Sequence, residues 1–216
     1  MPCKPNALTQ FFTKQKWTIL SLLIVLAMYT LVMFTQEANQ YAQRNAPNKQ
    51  AEGIGQAAIG GAFNLQDHHG NPFTEKNLLG KYSLVFFGYT YCPDICPNTL
   101  SVVAEVYEEL PQIIRQQLQV VFVTVDPERD TVQSLSEYMP AFHDDFIGLT
   151  GTQEATQQIA DAYKVFFAKR GEGEDYLVDH SGWMYLMSPT GTYLQHHSHN
   201  ITPKKLAEVL NEALNK

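Results

Sequence analysis

The sequence predicts an α/β domain with a mixed central sheet flanked by helices, carried behind one apolar span near the amino terminus. Three observations point there. The continuous apolar runs SLVFFGY (83–89) and QVVFVTVD (119–126) read as strands buried on both faces. Stretches of helical apolar period separate and follow them. A hairpin pattern and an amphipathic helix come last, so strands and helices alternate as in an α/β sandwich.

Residues 17–36 begin with WTILSLLIVLAMYTLVMF and carry no charge. A helix rising about 1.5 Å per residue over this length just spans a hydrocarbon core of roughly 30 Å. The run is long for a cleaved signal peptide and no small-x-small site closes it, so an uncleaved anchor is expected. Lys4, Lys14 and Lys16 precede the span, whereas Arg44 is the first cation after it. That asymmetry puts residues 1–16 in the cytoplasm and the bulk of the chain outside, as in a single-pass protein of a bacterial-type inner membrane with a periplasmic carboxyl-terminal domain. Residues 37–60 mix Gln, Ala, Asn and Gly without apolar period and read as a tether with a coil span of roughly 25–30 Å. The folded domain is expected over 61–216.

Within it, AFNLQDHHGNPFT (62–74) places His69-Gly70-Asn71-Pro72 between two alternating runs, a hairpin signal. The strand at 83–89 follows. Leu100, Val103, Ala104, Tyr107 and Leu110 then recur at helical spacing. After the strand at 119–126 come a helix over about 131–140, a strand candidate FIGLTG (146–151) and a helix marked by Ala155, Ile159 and Tyr163. A Gly- and acid-rich loop leads to WMYLM (183–187), the turn Ser188-Pro189-Thr190-Gly191 and the strand TYLQHH. Thr202 as cap and Pro203 as first residue open the last helix, with Leu206, Val209, Leu210 and Leu214 on one face. A thioredoxin-like layout is the natural candidate.

Charge narrows the function. Residues 37–216 carry all 22 acidic residues but 12 of the 15 basic ones, a formal charge of −10, which disfavours a nucleic-acid partner. Three cysteines are too few for a disulfide scaffold in a domain this large. Cys3, on the cytoplasmic side of the anchor, reads as an ordinary free thiol.

The chemistry concentrates in Gly88-Tyr89-Thr90-Tyr91-Cys92-Pro93-Asp94-Ile95-Cys96-Pro97, between a buried strand and a helix. Pro97 suits the first turn, so the helix is expected to start at Cys96 or Pro97, with Cys96 at its positive end as the thiolate. A pair of buried structural cysteines is the bland alternative. Against it, both lie in a proline-bracketed turn at the carboxyl edge of a strand, where α/β sheets place their sites. Two thiolates suit Cu(I), and an added imidazole makes a three-coordinate site. Seven histidines compete for that role, and spacing alone does not choose among them.

Together GKYSLVFFGYTYCPDICP, VFVTVDPERDT, FIGLTGT and DYLVDHSGWMYLM closely resemble the segments of the Sco/SenC family, in the same order. The resemblance runs from about Gly60 to the carboxyl terminus. It implies a thioredoxin-like fold and a metallochaperone that assists assembly of the binuclear copper site of cytochrome c oxidase. By position it implies copper ligands at Cys92, Cys96 and His180, one copper ion per chain, an upstream copper donor, and the copper-binding subunit of the oxidase as acceptor. Tyr91 stands where many members have His.

Asp126 and Asp130 follow the second buried strand; strand termination and helix capping by Asp130 or Thr131 are their first roles, and facing a copper donor is a second. His196, His197 and His199 form an imidazole-rich stretch expected to be a solvated strand end, with adventitious metal binding as the lesser alternative. A thiol-disulfide oxidoreductase cycling Cys92 and Cys96 is the main alternative function, although its usual motif has two intervening residues rather than three. A peroxiredoxin-type peroxidase expects Thr three residues before its cysteine, where this chain has Tyr89 and Pro93. Zinc also suits a Cys2His set, and the resemblance alone tips the expectation to copper.

Overall fold

The structure is a computed structural model that describes residues 28–30, 33, 36, 53–54 and 59–214. The chain divides into units at 1–49 and 50–216. In the first, Met28, Tyr29, Thr30, Met33 and Gln36 are helical and exposed. The rest of the expected anchor at 17–36, and the tether except for its end, lie outside the described residues. Among those described, no helix is long and apolar enough to cross a membrane.

The second unit is built on an eight-stranded mixed sheet. Its strands are β1 (Gly53–Ile54), β2 (Asn64–Asp67), β3 (Pro72–Thr74), β4 (Tyr82–Gly88), β5 (Leu118–Thr124), β6 (Ile147–Thr150), β9 (Trp183–Met187) and β10 (Tyr193–Ser198). They lie in the order β1-β10-β9-β4-β5-β6-β2-β3. β4, β5 and β6 are parallel, with Val85 opposite Val121 and Val121 opposite Ile147. β9 and β10 continue the sheet antiparallel from β4. β1 falls inside the expected tether, yet it pairs with β10 through Gly53 and His196, so the sheet begins before residue 61.

The fully apolar runs take the centre because both faces of the sheet are covered. Phe86, Phe87, Phe122, Leu149 and Met184 are all at 1 % exposure or less. The helices are α1 (Ile95–Glu109), the single turn α2 (Gln112–Arg115), α3 (Val132–Tyr138), α4 (Gln153–Tyr163) and α5 (Pro203–Leu214). α1 and α5 pack together, and α3 lies on β6.

Two features differ from the sequence reading. α1 starts at Ile95, with Asp94 as the capping position and the first helical bond running from Asn98 N–H to Asp94 O. Pro97 fits inside this first turn because its missing N–H would have had no helical partner there. The loop before His180 is instead a separate hairpin of β7 (Phe167–Arg170) and β8 (Leu177–His180). Its four-residue strands flank Gly171 and Gly173, both at positive φ, and so short a pattern beside a turn this rich in Gly and Glu reads as coil. Lys164, the one described non-glycine residue with positive φ, ends α4 and turns the chain into this hairpin.

Candidate metal centre

The cysteine loop leaves the carboxyl end of β4 at Gly88, where only glycine fits. A Cβ there would lie 2.7 Å from the Phe122 ring and 2.8 Å from Cys96 Sγ. The missing side chain is what lets the Cys96 sulfur rest against the end of the sheet, fully buried. The loop is anchored by Asp130, whose carboxylate accepts from Thr90 N–H (2.9 Å), Thr90 Oγ1 (2.6 Å) and Thr124 Oγ1 (2.6 Å).

Cys92 is half-buried just outside α1, and Cys96 N–H donates to its sulfur at 3.4 Å. Both thiols are free. Cys92 is therefore the thiolate. The Cys96 S–H donates to it first of all, and the His180 imidazole and then the N–H groups of Cys96 and Asp94 add to this, outweighing the cost of burial. Cys96 is shifted the other way, because its proton is held against Cys92 and burial penalises a second charge. The sequence reading had these roles reversed. The thiolate lies before the helix, facing its free N–H groups, while Cys96 is inside the first turn and turned to the core.

The third side chain comes from across the cleft. His180 ends β8, opposite Phe167 in the hairpin, and the hairpin is tied down by bonds from Ser181 N–H to Phe166 O (2.9 Å) and from Phe166 N–H to Ser181 Oγ (3.0 Å). His180 Nδ1 lies 3.2 Å from Ser181 O, and because a carbonyl only accepts, Nδ1 carries the proton. That leaves Nε2 as the nitrogen that can ligate a metal, 3.7 Å from Cys96 Sγ. A metal with bonds of about 2.3 Å to sulfur and 2.0 Å to nitrogen, at about 120°, separates its ligands by about 3.7 Å. The pair therefore has the spacing of trigonal ligands. Among the described residues no three His, Cys, Asp or Glu side chains are drawn into one closed cluster, so Cys92 would have to turn inward as an ion binds. Tyr89 supports the imidazole edge to face, its ring centroid 5.9 Å away.

Cys92, Asp94, His180 and Gly182 line one open cleft of about 390 Å³, with His199 on its wall. A larger cleft of about 460 Å³ near Lys81, Arg115 and Asp145 has no thiol or imidazole among its lining residues.

The acidic pair is buried. Asp126 is 2 % exposed and accepts from Tyr176 Oη (2.7 Å) and Arg129 Nε (2.6 Å), and Asp130 is fully buried. Thr131, not Asp130, caps α3. Sequence reasoning also missed Arg129. Its guanidinium lies 3.7 Å from the Tyr176 ring centre and 4.6 Å from that of Tyr91, and it donates to Glu174 O at 3.2 Å. It thus joins the cysteine loop to the hairpin that carries His180. The signal was its place in Val-Asp-Pro-Glu-Arg-Asp, but nothing in the string says that Tyr91 and Tyr176 meet there. Nor is the histidine stretch a solvated strand end. His197 is 1 % exposed, and His196 packs on Trp183 with ring centres 4.9 Å apart.

The SCO1/SenC family model matches residues 51–215, which contain all of this geometry. The chain belongs to the SCO1/SenC family. The mitochondrial SCO1 homolog 1 of Arabidopsis thaliana is 44 % identical over 153 residues, 70 % of this chain and 46 % of the relative, so the match spans about half of that protein's length. The crystal structure of Arabidopsis thaliana ScoI with copper bound is 42 % identical and superimposes with a TM-score of 0.68 over 74 % of this Sco-family chain and all of that one. Yeast Sco1 with copper bound is 39 % identical, with a TM-score of 0.69 over 74 % of this chain and 90 % of that one. The mixed sheet flanked by helices is the thioredoxin-like fold of these Sco proteins.

Proposed function

We propose that this Sco-family chain is a copper metallochaperone that holds one copper ion through Cys92, Cys96 and His180 and passes it to the copper-binding subunit of cytochrome c oxidase. The observation that carries the reading is the approach of His180 Nε2 to Cys96 Sγ at 3.7 Å in a cleft that also contains the Cys92 thiolate. Soft sulfur donors with one imidazole suit Cu(I) and, with a further oxygen ligand, Cu(II). Related Sco proteins with copper bound support copper over zinc. The apolar stretch at 17–36 anchors the chain, residues 37 to about 52 tether it, and the domain works on the outer face of the membrane, where a donor loads it and a membrane-embedded acceptor receives the ion.

A second reading has its own support. A thiolate at Cys92 beside a protonated Cys96, at a helix amino end, is also the arrangement of a dithiol that attacks disulfides. Anaerobic titration of the reduced full-length chain in detergent with Cu(I), Cu(II) and Zn(II) separates the two. The carrier reading expects one copper per chain with a sulfur-to-copper absorption band, weakened in His180→Ala. If copper binds no better than zinc, His180→Ala changes nothing and the pair reduces disulfides readily, the oxidoreductase reading replaces it.

A further inference from the structure

The cleft has a second imidazole. His199 follows β10 and lines the same wall as His180 and Gly182, facing the space that Cys92 borders. Its Nδ1 lies 3.2 Å from Gly182 O, so Nδ1 carries a proton and Nε2 is the nitrogen that can ligate a metal, as in His180. The same carbonyl accepts the His199 backbone N–H at 2.9 Å, which holds ring and backbone together. Gly182 makes room for this. A Cβ there would collide with His199 Nδ1 and come within 2.9 Å of Cε1, so the ring rests directly on the backbone two residues beyond His180.

We propose that His199 Nε2 is an exchange ligand, which takes a copper ion at the mouth of the cleft and passes it to and from Cys92, Cys96 and His180. The inference rests on the copper-carrier reading. Cys96 is fully buried and Cys92 half-buried, so an arriving ion has to exchange solvent or donor ligands for three protein ligands on its way in. An imidazole on the wall lets those ligands change one at a time, without a bare intermediate. Nε2 supplies only an electron pair, so the copper keeps its oxidation state; as the ion passes on, Cys96 gives up its S–H proton to solvent and binds as a thiolate. His196, three residues earlier, does not line this cleft, and its ring lies against Trp183.

The test compares the reduced full-length chain in detergent with His199→Asn, His199→Phe and His196→Asn. Asn keeps an amide N–H near the position of Nδ1, and Phe keeps the ring, but neither keeps Nε2. Copper loading and copper removal by a chelator are timed, and equilibrium affinity is measured by competition. A residue on the path that does not hold the bound ion changes both rates by the same factor and leaves the affinity alone. Both His199 variants should therefore load and unload more slowly by the same factor at unchanged affinity, while His196→Asn behaves as wild type. Unchanged rates in the two His199 variants overturn the proposal. So does a change in affinity carried by removal alone, which would make His199 a resident ligand. If the wild type itself binds no copper, the carrier reading and this one fall together.

Discussion

Replacing Asp130 tests whether the cysteine loop is held from beneath. Asp130→Ala removes the acceptor for three donors in a fully buried position. The Thr90 N–H cannot turn away, and leaving it unpaired costs about 1–3 kcal/mol. The Thr90 and Thr124 hydroxyls can rotate, so each costs about 0.5–1.5 kcal/mol. The loss of about 2–6 kcal/mol corresponds to a thermal midpoint lower by about 10 °C in a domain of this size. Asp130→Asn should cost less than half as much. Burial raises the Asp130 carboxyl above its ordinary range, against the hydrogen bonds from Thr124 and Thr90, so the folded protein favours the neutral form that Asn imitates. The stabilising effect of that preference is complete below the ordinary value of 3.8 and is lost as pH rises through the folded value, so the advantage of wild type over Asp130→Asn shrinks from about pH 4 upward. Thermal unfolding of the metal-free chain followed by circular dichroism over this pH range measures both quantities. An Asp130→Ala midpoint within about 2 °C of wild type, or an Asn variant as unstable as the Ala variant, would refute the anchoring argument.

Three further outcomes follow from the same geometry. Arg129→Ala should lower stability by about 3–5 kcal/mol in denaturant titration, because it strips the nearly buried Asp126 of its cation and frees the hairpin bearing His180; a loss under about 1 kcal/mol would contradict this. Gly88→Ala should cost about 1–3 kcal/mol and weaken copper binding, since the new methyl meets Phe122 and Cys96 Sγ, and wild-type copper affinity in a folded variant would show that the sulfur is not held there. In the metal-free reduced chain, alkylation at Cys92 should be flat from pH 6 to 9, since its thiol is shifted well below the ordinary range, whereas a rate climbing around about pH 8.5 would mean an unperturbed thiol.

The string of residues determined much of this protein directly, because the signals involved are local. Unbroken apolar runs gave away the central strands, and helical periods located α1, α4 and α5 to within a few residues. The proline-bracketed cysteine motif named the chemical site, and together with three other segments it named the family. Tertiary structure decided what depends on two distant segments meeting. The hairpin at 167–180 was hidden because strands of four residues around a glycine-rich turn carry too little pattern, and among the described strands it pairs with none outside itself. Cys92 rather than Cys96 became the thiolate because the buried Cys96 S–H donates to it, with helix α1 beginning at Ile95, one or two residues earlier than expected, and leaving Cys92 before its free N–H groups. His180 was singled out by the family resemblance, not by spacing, and His199 could be told from the other histidines only once the fold brought it to the same cleft, because a ligand's partner is chosen by position in space and not by spacing along the chain.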